Sequence, residues 1–147
     1  SGWEGMVGGQ AMDIRCEGKN VDSSIMDYIH SHKTGALITA SVTSGAILGG
    51  CTQQQLSEIT IYGRNIGLAF QIADDILDIE GSAEEMGKGT GGDSKKGKNT
   101  FPSVYGLNKS KKILSESIDS AIGALRRFDH KADPLRQIAR YISERKK

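Results

Sequence analysis

Phe70-Gln71-Ile72-Ala73-Asp74-Asp75-Ile76-Leu77-Asp78 is the stretch that decides how this chain folds. From Ile66 to Ile79, apolar residues point in nearly every helical direction, the pattern of a helix buried on most sides. Three aspartates inside such a helix need compensation, because a carboxylate removed from water is costly unless it is paired, neutralised or bound to a metal. At about 100° per residue, Gly67, Gln71, Asp74 and Asp78 form one stripe, with Asp75 on its flank. In a polar helix this spacing ordinarily means an acidic face in solvent. The apolar surroundings here point instead to a hard divalent cation, and magnesium suits best, since it binds through one or two carboxylates and keeps water or phosphate oxygens elsewhere. The glycine-bearing loop of an EF-hand is absent around these acids.

The chain of 147 residues, 37% apolar and 25% charged with a formal net charge of +1, has material for one modest core. The near-neutral balance and 5% aromatic content leave no footprint for nucleic acid. Cys16 and Cys51 have neither metal spacing nor disulfide density and read as free thiols of a reducing compartment, in keeping with a cytoplasmic protein. No charge falls between Lys33 and Glu58, but Thr34, Thr39, Ser41, Thr43, Ser44, Thr52 and several glycines make the stretch too polar for stable membrane insertion and predict a tightly packed internal helix.

Periodicity predicts an all-α chain, with helices over residues 2–14, 22–50, 53–81, 108–128 and 134–145. Asp22 or Ser23 suits the N-cap of the second, and Pro134 the first turn of the last. Leu56, Ile59, Gly63, Ile66, Phe70, Ala73 and Leu77 alternate steps of three and four, a bundle seam in which Gly63 and Ala73 permit close approach. Between Gly81 and Asn99 periodicity vanishes and glycines and lysines crowd together, which predicts a loop. Cations there, at Lys33, and acids on the helix together describe a polyphosphate site. The spacing is not that of a Walker loop, and no strand precedes it. His30 and His32, two apart, face different ways and read as structural or surface residues.

Five ordered motifs carry a family resemblance: Gly8-Gly9-Gln10-Ala11-Met12-Asp13; His32-Lys33-Thr34-Gly35-Ala36-Leu37; Gly67 to Asp78; Gly87-Lys88 to Asp93; and Gly97-Lys98-Asn99-Thr100-Phe101-Pro102. From about Gly5 to Arg145 the chain resembles the C-terminal half of trans-isoprenyl diphosphate synthases of the polyprenyl synthetase family, and most of all their bacterial farnesyl diphosphate synthase (geranyltranstransferase) branch. The ending, Leu135 to Lys147, is similar to that branch's closing helix.

The resemblance implies the all-α isoprenoid synthase bundle, a cavity faced by two aspartate-rich helices, and magnesium-dependent head-to-tail condensation of isopentenyl diphosphate with an allylic diphosphate. By the same resemblance Asp74 is the direct magnesium ligand, with Asp75 and Asp78 as further ligands or water-linked partners. Lys33, Lys88 and Lys98 meet the allylic diphosphate, Thr34 and Gln71 hold its reacting end, Phe70 packs on the isopentenyl side or in the seam, and Gln10 and Asp13 line the cavity. The first aspartate-rich motif and the basic residues that bind isopentenyl diphosphate in the family are absent from these residues. One half of a site is therefore expected, inactive alone, with the missing N-terminal half or a second copy in a homodimer covering apolar faces such as the seam from Leu56 to Leu77. Farnesyl and geranylgeranyl diphosphate both remain open as products. A non-catalytic partner subunit of a prenyl synthase is the alternative of another class, for which the set Lys33, Gln71, Asp74, Lys88 and Lys98, with its costly charges near a core, would have no physical use.

Overall fold

The computed structural model describes residues 1–19, 21–87 and 100–145, with residues 82–87 as backbone only. Among these residues the secondary structure is helical throughout: α1 (Met6–Cys16), α2 (Ser23–His30), α3 (Ala36–Leu48), α4 (Gln53–Gly87), α5 (Phe101–Tyr105), α6 (Leu107–Ala124) and α7 (Asp133–Glu144). The helix predicted over 22–50 is present, but a π-helical turn, Ser31–Gly35, divides it into α2 and α3. Asp22 caps it as expected, its carboxylate accepting from the Ile25 N–H at 3.0 Å. Single π turns of this kind recur at functional positions, and this one carries Lys33 and Thr34.

The helix α4 runs six residues beyond its predicted end at Gly81. The remainder of the predicted loop lies outside the described residues. The short α5, which hydrophobic periodicity cannot reveal in five residues, is set by a capping box: Thr100 and Ser103 exchange side-chain and main-chain hydrogen bonds, with Pro102 in the first turn. The sixth helix stops at Ala124 rather than Phe128. There Arg136 of α7 gathers freed carbonyls, donating to Leu125 O at 2.6 Å and Phe128 O at 2.7 Å.

Helix α4 is the axis of the bundle. Ile59, Tyr62, Ile66, Ala69 and Ala73 form a core with Ile118, Ala121 and Leu125 of the α6 region and Ala139 and Ile142 of α7. Tyr62 anchors α7 as well, donating its hydroxyl to Leu135 O at 2.9 Å. A second cluster joins Met26, Ile72, Ile76 and Phe101. The seam expected to lie open is thus closed from within: Ile59, Ile66 and Ala73 are buried by α6 and α7 of the same chain. Open apolar surface lies elsewhere. No residue of α3 is buried, Leu48 and Ile47 are largely exposed, and so are Trp3 and Ile14 at α1.

Glycine contacts set the remaining spacing. A Cβ on Gly67 would lie 2.7 Å from Gly35 Cα, and one on Gly9 would lie 2.2 Å from Lys33 N. Main chain therefore meets main chain at both places, and α1 and α4 grip the π turn from two sides. Because the Gly67 contact is with backbone, Gly67→Ala is expected to cost about 1–3 kcal/mol. Gly123→Ala in α6, whose Cβ meets nothing within 4 Å, should be neutral or stabilise by up to about 1 kcal/mol. Urea unfolding of the two variants checks this, and equal midpoints would refute the tight contact.

Candidate functional site

The two glycine contacts place the polar residues that follow them. Asp13 lies one turn after Gly9 on the same face of α1, and Gln71 one turn after Gly67 on the same face of α4. Lys33 Nζ accordingly meets Asp13 Oδ2 at 2.7 Å, and Thr34 Oγ1 donates to Gln71 Oε1 at 2.9 Å. These residues line a cleft of about 540 Å³ between α1, the π turn and α4. Gln10, Phe70, Asp74, Asp75, Asp78, His30 and Thr100 also line it, together with Ile14, Glu17 and Ile29. Every site residue named from the sequence and lying among the described residues is in this one cleft. Lys88 and Lys98 lie outside them. A larger groove of about 930 Å³, lined by α3 and α4 residues such as Thr39, Ala40, Thr60 and Leu68, lacks this facing set of acids and lysine.

The aspartates differ in what they touch. Asp74 is half-buried and its Oδ1 accepts from the guanidinium of Arg145, which also sits over the Phe70 ring at 5.1 Å. Asp78 is exposed on the same stripe. Asp75 is buried: its Oδ1 accepts from Gln71 Nε2 at 3.0 Å and its Oδ2 from the Phe101 N–H at 2.8 Å. Burial pushes the Asp75 carboxyl up to about 6, opposed by these two hydrogen bonds and assisted by the charges of Asp74 and Asp78.

His30, read from the sequence as structural or surface, is buried on the cleft wall with Nε2 3.9 Å from Asp75 Oδ2 and 2.7 Å from Met26 Sδ. Its Nδ1 has no hydrogen-bond partner among the described residues. Burial holds it down at about 4, with Lys33 adding to the shift and Asp13 opposing it. Glu17 lines the cleft, and Arg145 and the Phe101 N–H touch its aspartates, without a site role from the sequence; the burial of His30 fits its structural reading.

Chemically, one cleft gathers a lysine, a hydroxyl–amide pair and several accessible carboxylates, Asp74 and Asp78 on α4 and Asp13 and Glu17 at α1. Asp74 and Asp78 supply hard oxygen donors on adjacent turns, which fit magnesium held through one or two carboxylates. Among the described residues no three acidic, histidine or cysteine side chains converge into a preformed cage. The remaining ligand positions would fall to water and phosphate oxygens.

The shifts of His30 and Asp75 have opposite consequences for stability. Asp75 is raised from 3.8 to about 6, so between those values the folded chain keeps a proton that the unfolded chain loses, and stability falls as pH rises, by about 3 kcal/mol. His30 is lowered from 6.5 to about 4, so in that window the unfolded chain takes up a proton that the folded chain refuses, and stability falls as pH drops, again by about 3 kcal/mol. The two nearly cancel. Asp75→Asn should therefore lose stability on acidification from pH 6.5 to 4, and His30→Gln on raising pH from 4 to 6. Denaturant titrations across this range check the signs; parallel profiles for both variants would contradict the assignment.

The family model for polyprenyl synthetases matches residues 3–141. A farnesyl diphosphate synthase of Micrococcus luteus is 41% identical over 147 residues, covering 100% of this chain and 50% of the relative. A geranylgeranyl diphosphate synthase of Cyanophora paradoxa is 44% identical over 143 residues, covering 96% and 47%. The solved apo structure of an FPP/GFPP synthase from Zymomonas mobilis superposes with a TM-score of 0.82 at 41% identity, over 97% of this chain and 46% of that one. The chain spans about half the length of the curated relatives it matches. An all-α bundle of this shape, with its acids and lysine gathered in one cleft, and the match along nearly its whole length establish that the chain belongs to the polyprenyl synthetase family.

Proposed function

We propose that this chain supplies one half of the active site of a magnesium-dependent prenyltransferase that condenses isopentenyl diphosphate with dimethylallyl or geranyl diphosphate to give farnesyl diphosphate. The observation that carries the proposal is the cleft in which Lys33, Thr34 and Gln71 face Asp74 and Asp78. In this reading Asp74 and Asp78 hold magnesium, which supplies Lewis-acid stabilisation to the departing diphosphate. Lys33, which lines the same cleft, neutralises charge on the leaving group by exchanging its partner Asp13 for the incoming phosphate oxygens. Lys88 and Lys98 join it on the strength of the family resemblance alone.

By the family resemblance Thr34 and Gln71, which share a hydrogen bond, hold the carbon from which the diphosphate leaves. As that C–O bond breaks, its electron pair departs with the diphosphate. The double bond of isopentenyl diphosphate then forms the new C–C bond, and loss of a proton restores an alkene. Orientation of two bound reactants is the protein's main contribution. Gln10 and Phe70 shape the wall, with Phe70 toward the isopentenyl side.

The roughly twofold greater length of the relatives supports an N-terminal half that brings the first aspartate-rich motif and the basic isopentenyl diphosphate site. We assign the exposed faces of α1 and α3 to contacts with that half and with a second copy in a homodimer. A cytoplasmic location goes with this reading, in keeping with the free thiol of Cys51; no helix of the described residues is long and apolar enough to cross a membrane. Geranylgeranyl diphosphate is the second product to test, because a synthase of that name is as similar as those named for farnesyl diphosphate.

The test is magnesium-dependent incorporation of labelled isopentenyl diphosphate onto dimethylallyl, geranyl and farnesyl diphosphates by the intact protein, with products separated by chain length. Activity is expected to vanish on chelation, and Asp74→Ala is expected to lower kcat by about 100-fold or more without unfolding the protein. Transfer insensitive to both treatments would exclude the assigned metal site, and an intact folded protein without transfer would favour a non-catalytic partner subunit.

A further inference from the structure

The second aspartate of the acidic stripe stands apart from the other two. Both Asp75 oxygens receive N–H hydrogens from the protein itself, one from the main chain of Phe101 and one from the side chain of Gln71. The residue is 7% exposed, with little room for a ligand of another kind. We infer that Asp75 is a positioning residue that sets the polarity of the Phe101–Asp75–Gln71–Thr34 hydrogen-bond chain, so that Thr34 and Gln71 turn oxygen lone pairs rather than hydrogens toward the reacting carbon. The inference rests on the prenyl-transfer reading for its effect on rate, and on hydrogen-bond inventory for its geometry.

The inventory runs in one direction. The Phe101 N–H can only donate, so it must face an oxygen of residue 75. The other Asp75 oxygen is an acceptor, and it selects the NH₂ end of the Gln71 amide over the carbonyl end. The Gln71 carbonyl is thereby turned to Thr34, whose hydroxyl hydrogen is spent on it at 2.9 Å. What Thr34 Oγ1 has left is lone pairs. Such a pair of oxygens suits a carbon that becomes positive, and its orientation is fixed before substrate arrives, at no cost in reorganisation during the reaction. Asp75 reaches no substrate in this arrangement and acts through Gln71.

An isosteric change reverses the chain without removing it. In Asp75→Asn the Phe101 N–H claims the Asn oxygen, the Asn NH₂ then faces Gln71, and Gln71 must present its carbonyl to residue 75 and its NH₂ to Thr34. The Thr34 hydroxyl becomes an acceptor there and turns its hydrogen away from Gln71. Shape and hydrogen-bond number are preserved, while polarity at the cleft is inverted.

Three variants of the intact protein, Asp75→Asn, Thr34→Val and the double variant, test this against wild type at pH 7.5. Asp75→Asn is expected to lower kcat by about 100-fold with KM for both diphosphates changed by less than about twofold. Manganese(II) affinity, read by electron paramagnetic resonance without substrate, should stay within about twofold of wild type, since Asp75 is not a ligand. Because Asp75 acts through Gln71 and, beyond it, Thr34, the loss in the double variant should fall well short of the product of the two single losses. Loss of roughly tenfold or more in manganese affinity by Asp75→Asn would make Asp75 a metal ligand and overturn the inference. Multiplicative losses in the double variant, or unchanged kcat in Asp75→Asn, would overturn it equally. The geometry has its own readout in scalar coupling across the hydrogen bond from Gln71 Nε2 to the Asp75 carboxyl carbon. Absence of that coupling in the wild type refutes the polarity, whereas its presence in a protein without prenyl transfer leaves the polarity standing and refutes the proposed function.

Discussion

The contact on which the rest depends is between two stretches of bare backbone, Gly67 of α4 against Gly35 at the end of the π turn. A helix pair separated by side chains at this point would stand some ångströms further apart, as helices with larger residues at their crossings do. The cleft would then widen, and Gln71, one turn further along α4, could no longer accept from Thr34 at hydrogen-bond distance. Gly9 repeats the device on α1, where it lies against Lys33 N and brings Asp13 to the Lys33 ammonium. Packing of residues without side chains is thus what places the side chains that carry chemistry.

The site built on those contacts keeps its charges at different depths. Lys33, Asp74 and Asp78 are open enough to exchange one partner for another, while Asp75 and His30 are sealed behind them. The buried pair sits 3.9 Å apart with opposed shifts, both caused first by burial: the acid is driven toward its neutral form and so is the base. Neutral His30 beside Asp75 avoids a buried ion pair whose desolvation would outweigh its Coulomb gain. Arg145, near the end of the chain, completes the arrangement by neutralising Asp74 from the outer side while stacking on Phe70.

Much of this was legible in the residues. The density of apolar side chains around Asp74, Asp75 and Asp78 marked α4 as the buried axis, and the stripe from Gly67 to Asp78 foretold which side chains would share one wall. The order of motifs foretold the family. The failures have local causes. The seam from Leu56 to Leu77 carries no mark of which partner fills it, so its closure by α6 and α7 rather than by another chain was invisible. The stop of α6 at Ala124 depends on Arg136, a residue of the next helix, and the π turn adds one residue per turn without altering which residue types occupy it.

By itself the sequence determined the helical class, the amphipathic registers and the stripe of acids and amide that shares one face of α4, because those depend on spacings of three and four that any helix imposes. Tertiary structure alone decided how deep each member of the stripe lies and what it touches. Asp74 and Asp75 are neighbours of identical chemistry in one cleft wall, yet a rotation of about 100° leaves one half-exposed and buries the other. There the Phe101 N–H, 26 residues away, takes its second oxygen. No local pattern encodes a hydrogen bond across such a separation, since it exists only once α4 and α5 have packed.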